Sequence, residues 1–411
     1  SDVLDNVPSV SVDVEGNVSL RGSNSVRILI DGKPSGLVSL KGGSGLQQLQ
    51  GNIIERVEII TNPSARYEAE GLSGIINIIL KKEQKQGFNA SFDVVAGNPT
   101  NFGVAANLNY RRKNLNFFIN YGLSYRNAPG KNSQYQELYR NDSTFITEKE
   151  MTTKLKGQYN SARGGLDYYI NDKNVLTAAY TYRISKGKRF STIQYKDYLS
   201  SLSNLTSSTV RTQDEDEEEP NSEYAITYKK TFDRKGQEFV FDVRYLDNWE
   251  DSDQFYGEQR YRPDGTKPVP FVLQRALNFE TEKQLLFQAD YVHPIGKMGK
   301  FEAGGRSSSR DMTNDYAVTQ ETETGWIALP GLTNDFLYQE RIHAVYGILG
   351  NKSGKFSYQA GLRAEWTDLT TKLRQTNEVN DRSYADLFPS IHATYDLPKQ
   401  NALQLSYSRR I

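Results

Sequence analysis

The residues able to do chemistry are few and scattered. There are 3 histidines and no cysteine in 411 residues, so a thiol nucleophile, a disulfide frame and thiolate metal sites are all excluded. His293, His343 and His392 stand far apart, and no H-E-x-x-H, G-x-S-x-G or phosphate-loop spacing accompanies them. Lys41-Gly42-Gly43-Ser44-Gly45 is glycine-rich, but it lacks the glycine-lysine spacing that cradles phosphate. The densest charge is the run Asp214-Glu215-Asp216-Glu217-Glu218-Glu219. It lacks the alternate ligands and central glycine of a calcium loop, so it is expected to be a solvated, self-repelling loop with no metal. Neither a catalytic constellation nor a cofactor site emerges, and the chain is not expected to be an enzyme.

Composition narrows the class further. Lys plus Arg and Asp plus Glu both number 50, and zero net charge argues against a nucleic-acid binder. Mean hydropathy is −0.66, and no apolar run approaches the length of a membrane helix. A membrane β-barrel remains open, because strands that alternate apolar and polar residues average out as hydrophilic.

The elements carry the stronger signal. Residues 1–86 hold short apolar runs between glycine-rich turns: Val26–Ile30 before Asp31-Gly32, Arg56–Ile60, and Gly74–Leu80. Gly45–Leu49 followed by Ile53 suggests a short helix, giving a small α+β unit. From Gly87 the period becomes two. Phe88, Ala90, Phe92 and Val94 share one face, as do Leu115, Phe117, Ile119 and Tyr121, and Phe356, Tyr358, Ala360, Leu362, Ala364 and Trp366. Short polar turns at 111–114, 171–174, 233–236, 296–300, 351–355 and 398–401 alternate with longer polar stretches near 127–160, 190–219, 260–275, 315–335 and 374–385. Tight turns at one end and long loops at the other predict a mainly β, antiparallel transmembrane barrel from 87 to 411, with about 13 strands present. An open edge is costly in hydrocarbon, so further strands are expected beyond Ile411. Tyr125, Tyr182, Trp249 and Trp366 suit interfacial aromatic girdles.

The first domain carries ordered motifs: Val18–Gly22, Val26–Pro34, Ile54–Tyr67 and Gly71–Lys82. Together they resemble the C-terminal two-thirds of the plug domain of TonB-dependent outer-membrane receptors. The wording Asn62-Pro63-Ser64-Ala65-Arg66-Tyr67-Glu68 and Ile75–Lys82 resembles the Bacteroidetes branch allied to SusC-like transporters. This resemblance implies a parent barrel of ~22 strands with the plug (1–86) in its lumen. It implies a location in the outer membrane of a Gram-negative bacterium, among its lipids, and a segment before Ser1 that pairs with TonB by strand addition. Asn62 stands where the family usually has glycine, and Asn tolerates the left-handed turn.

The same resemblance implies roles. Arg21 and Arg56 would lock plug to wall through carboxylates, with Glu365 the first candidate partner and Glu302 the second, because guanidinium grips a carboxylate bidentately yet can be rewetted. Asp31, Gly32, Lys33 and Pro34 would form a ligand-facing plug apex, while Asn62, Pro63, Gly71 and Gly74, with Gly22, would allow tight turns. The expected function is import of a large or scarce ligand: a siderophore, oligosaccharide, peptide or cofactor. A surface lipoprotein of SusD-like type is a conceivable partner under this resemblance. The rival expectation is a scaffold barrel in a larger secretion or adhesion complex.

Overall fold

The computed structural model describes residues 10–12, 18–20, 26–30, 54–60, 74–80, 87–140, 143–398 and 401–409. Five short strands build the first unit: β1 (Val10–Val12), β2 (Val18–Leu20), β3 (Arg27–Ile30), β4 (Ile54–Ile60) and β5 (Ile75–Leu80). β1 and β2 form an antiparallel ribbon. β5 lies between β3, to which it is parallel, and β4, to which it is antiparallel. Val10, Val18, Leu20, Ile28, Ile30, Ile76 and Ile78 form one core, so the ribbon packs on the three-stranded sheet. Apolar burial stabilises this small unit by about 25 cal/mol for each Å² removed from water. Gly74 enters β5 at φ 126, a conformation L side chains rarely adopt. The short helix suggested at 45–53 falls outside the described residues.

The second unit is a 14-stranded antiparallel sheet. Its strands are β6 (Gly87–Gly97), β7 (Asn101–Arg112), β8 (Leu115–Arg140), β9 (Ser143–Asn171), β10 (Asn174–Leu199), β11 (Leu205–Thr231), β12 (Glu238–Tyr261), β13 (Val272–Ile295), β14 (Gly299–Thr322), β15 (Gly325–Ala328), β16 (Asn334–Ser353), β17 (Phe356–Leu373), β18 (Glu378–Asp396) and β19 (Ala402–Ser408). Each pairs with its neighbour in sequence, except that β15 folds against β14 alone and β14 pairs onward with β16. The meander from β6 to β19 therefore holds 13 strands, matching the expectation from periodicity.

The tight turns fall at the predicted end. The opposite end differs from expectation. Most of 127–160 and 190–219 is strand: β8 and β9 are joined across 141–142, and β10 and β11 are joined by 200–204. The alternation rule missed these stretches because strands that leave the hydrocarbon have no need of an apolar outer face.

Burial shows which face is which. Leu362 is 49% exposed, whereas its neighbour Arg363 is 1% exposed. The same inversion recurs along the sheet: Phe241, Tyr245 and Trp249 are bare while Asp242, Asn248 and Glu250 are covered. A water-soluble sheet would hide the other face. Here the apolar residues form an outward belt, running for about ten residues on each strand, the length a tilted strand needs to cross a bilayer. On β12–β14 the belt stops at a charged row, Asp247, Lys283 and Asp311, directly opposite one another. Tyr125, Tyr182, Trp249 and Trp366 all lie on the exposed face, and Tyr180, Tyr224 and Tyr245 stack across three strands with centroids 4.8 and 6.3 Å apart. Among the described residues no helix is long and apolar enough to cross a membrane.

Two aromatic rings lie flat over cross-strand glycines on the covered face. Phe118 faces Gly165 and Tyr346 faces Gly304. A Cβ on Gly304 would meet the Tyr346 ring at 2.6 Å, and one on Gly165 would run into the Phe118 ring.

Candidate functional site

The covered face of the wall is the candidate site, and strand alternation puts charges there. On β10–β12, Arg183 faces Glu219 at 3.6 Å, and Arg244 donates from Nε to Asp242 at 3.0 Å and from Nη1 to Glu223 at 3.2 Å. On β13–β16, Arg310 Nε donates to Glu282 at 2.6 Å. Nearby, the Tyr346 hydroxyl donates to Asp290 at 2.5 Å, and Gln288 donates to the same carboxylate at 2.9 Å. On β17, Arg363 Nε donates to Glu365 at 2.8 Å. Cross-strand register brings Arg244 to Glu223, Arg310 to Glu282 and Tyr346 to Asp290 from 21, 28 and 56 residues away, while Asp242 and Glu365 meet arginines two residues off on their own strands.

The network is not self-sufficient. Arg363 Nη1, both amide atoms of Asn221, Asn248 Oδ1 and Glu282 Oε2 are buried without a protein hydrogen-bond partner. Buried polar atoms are normally paired, because each orphan costs about 1–3 kcal/mol. The wall thus carries spare donors and acceptors on its covered face. Chemically it suits reversible polar contact with a protein surface or hydrophilic solute.

Glu365 is on this covered face, as expected, and its partner is Arg363 two residues away. Glu302 is also covered and pairs with Lys300. Arg56 lies on β4, half-exposed, with Glu55 at 2.7 Å and Glu58 at 2.8 Å. Hydrogen bonding to Glu58, ahead of other effects, raises the Arg56 pKa. Arg56 and Glu365 are therefore each held by a neighbour on their own strand. Arg21, Asp31, Gly32, Lys33, Pro34, Asn62, Pro63 and Gly71 lie outside the described residues. The histidines occupy separate strands: His293 meets the Tyr291 hydroxyl and His343 the Ser307 hydroxyl.

The acidic run corrects the loop expectation. Asp214–Glu219 lies within β11, opposite Phe190–Ser185 of β10. Lys188 meets Asp216 at 2.8 Å, Lys186 meets Glu218 at 3.1 Å and Arg189 meets Glu215 at 3.7 Å. A basic strand neutralises the acidic one, and that ladder replaces self-repulsion. Arg183, Asp242, Arg244, Glu282 and Asp290 also escaped sequence reasoning. Their signal was alternation itself: a charge at a fixed parity within an apolar strand.

An outward apolar belt with a charged, covered inner face defines an outer-membrane β-barrel wall. The pattern of the outer membrane protein beta-barrel family matches residues 230–411. That of the TonB-dependent Receptor Plug Domain matches residues 1–75. The two matches together give the chain the make-up of a TonB-dependent receptor, a plug followed by an outer-membrane barrel wall. Among curated relatives, the iron-regulated outer membrane virulence protein of Vibrio cholerae serotype O1 is 38% identical over 100 residues, 21% of this chain and 15% of that protein. The vitamin B12 transporter BtuB of Vibrio vulnificus is 38% identical over 87 residues, 19% of this chain and 14% of that protein. The matched stretch thus spans a small part of these relatives' length. Among solved structures, the ferric yersiniabactin uptake receptor FyuA from Yersinia pestis aligns over 99% of this chain and 82% of its own, with 11% identity and a TM-score of 0.38.

Proposed function

We propose that the chain is the substrate-conducting body of a TonB-energised outer-membrane importer. Residues 1–86 are the plug and residues 87–411 belong to the surrounding wall. The observation that carries this reading is the covered inner face, charged and incompletely hydrogen-bonded, behind an apolar belt. Such a wall needs a polar filling, and the first unit is small, separately cored and edged with charges such as Arg56.

Arg21 and Arg56 engage wall carboxylates, with Glu365 and Glu302 the candidates. The exposed pairs that Arg56 makes with Glu55 and Glu58 are weak enough to exchange. Asp31–Pro34 form the outward plug apex and meet the ligand. TonB acts from the side of the tight turns.

Two relatives bear names tied to iron regulation and to vitamin B12, which favours a scarce metal chelate, either a siderophore or a corrinoid, over an oligosaccharide or peptide. The SusC-allied assignment rests on the Asn62–Glu68 and Ile75–Lys82 wording alone. The test is uptake of labelled ferric siderophores and cobalamin by receptor-deficient cells producing the protein, with and without TonB. TonB-dependent accumulation of one of them is expected. Accumulation that persists after TonB deletion would overturn the reading.

A further inference from the structure

Given the importer reading, on which this rests, we propose that an uncharged amide strip on the inner face of β7 and β8 is the surface the solute touches in transit. It takes the solute through that molecule's hydroxyl and amide N–H groups. Strand parity defines the strip. Phe102, Tyr110, Phe117, Ile119 and Tyr121 are exposed on the outward face, so the alternate positions of both strands face inward. On β7 these run from Gly103 to Asn109 and on β8 from Asn116 to Ser124, and neither stretch holds a charged residue. Register sets Asn107 opposite Asn120, Ala105 opposite Gly122 and Gly103 opposite Ser124. Asn89 of β6 stands opposite Asn109.

The amides are oriented yet unengaged. Asn116 is 3% exposed, and its Nδ2 donates to Asp167 at 2.9 Å. Asn107 Nδ2 donates to Ser91 at 3.2 Å. In both, the nitrogen anchors the side chain while Oδ1 is buried without a protein partner, as are Asn109 Oδ1 and Asn89 Nδ2. Three fixed acceptors and one donor therefore wait on this face, which selects O–H and N–H groups in what they meet. The neighbours are low: Gly103, Ala105 and Gly122 project little, and Phe118 lies over Gly165. β7 and β8 have strands on both sides, yet Asn107, Asn109 and Asn120 stay half-buried. On the ion-paired side, Asp242, Glu282 and Gln288 are 1%, 2% and 5% exposed. The bore is thus less filled along β7 and β8. Hydrogen bonds to ionised groups are roughly twice as strong as neutral ones, and passage needs contacts that are multiple and weak enough to release. Neutral amides meet that need, whereas a wall of arginines and carboxylates would retain a polar solute.

The chain has no cysteine, so a single one can be placed at Ala105 and modified alone. Receptor-deficient cells producing the full chain as A105C are treated with a bulky methanethiosulfonate reagent, and uptake of radiolabelled ferric siderophores and cobalamin is followed. Unmodified A105C should transport like the wild type. The adduct should slow uptake about tenfold without changing binding to de-energised cells, and dithiothreitol should restore the rate. N107D/N109D, which turns neutral contacts into charged ones, should also slow uptake about tenfold at unchanged binding. N107Q/N109Q should stay within about twofold of the wild type, as should Q284E on the ion-paired side, which separates charge on the strip from misfolding. Full-rate uptake with the adduct in place, full-rate uptake by N107D/N109D, or equal slowing by Q284E would overturn the proposal. Uptake by the unmodified protein that ignores TonB would instead sink the importer reading itself.

Discussion

At the residue scale, the inner-wall ion pairs set the sharpest expectations. Arg363 and Glu365 are both almost fully covered, so removing one partner strands a buried charge. Glu365→Gln should lower stability by about 3 kcal/mol, while R363M/E365L should lose much less, read from urea unfolding in detergent micelles. The hairpin tip behaves differently, being fully solvated. Glu137 accepts hydrogen bonds from Tyr135 and Tyr139, which hold its carboxyl below the usual 4.5. The same contact, led by the bond to Glu137, pushes Tyr135 from 10.0 up to about 12. A lowered carboxylate stabilises above its unfolded value, and that support is lost as pH falls through the folded one. A raised phenol stabilises below its unfolded value and loses that support as pH climbs through the folded one. The tip should therefore be best ordered between the ordinary carboxylate and tyrosine ranges and loosen at both extremes. Tyrosine ring signals that are indifferent to acid below pH 4 would refute this.

At the element scale, outward position decides the cost of a charge. Leu362 sits mid-belt on β17 and Asp368 sits past its upper edge. Leu362→Arg should cost about 2–4 kcal/mol of folding free energy in vesicles, and Asp368→Arg about 0–1. The β10–β11 ladder should show modest coupling: K188E and D216K singly weaken the hairpin, and the double swap recovers about 0.2–1 kcal/mol, because both partners are well exposed. These elements also show what was readable beforehand. Turns such as 113–114 and 354–355, and the parity of Leu362 against Arg363, were legible because lipid imposes a strict two-residue period on the chain. The outer halves of β8 to β11 were not, because outside the bilayer water solvates either face and the period fades. Nor were the cross-strand partners of the inner charges legible: Arg310 meeting Glu282 depends on register between β13 and β14, which only the folded sheet fixes.

At the scale of the whole molecule, the proposed division into a plug and a wall has a direct consequence. Removing residues 1–86 should convert a tight membrane protein into a conducting one, seen as a large rise in planar-bilayer conductance; unchanged conductance would mean the first unit does not obstruct the bore. The rings of Phe118 and Tyr346 bear on the same proposed bore. Each is laid against the wall because the residue across from it has no side chain. Gly304→Ala would press its Cβ on the Tyr346 ring and on the Ala289 carbonyl, both at 2.6 Å, tipping the ring from the wall, detaching its hydroxyl from Asp290 and straining the β13–β14 pairing. On the proposed reading, two absent methyl groups thereby keep both rings laid along the wall and out of the importer's path.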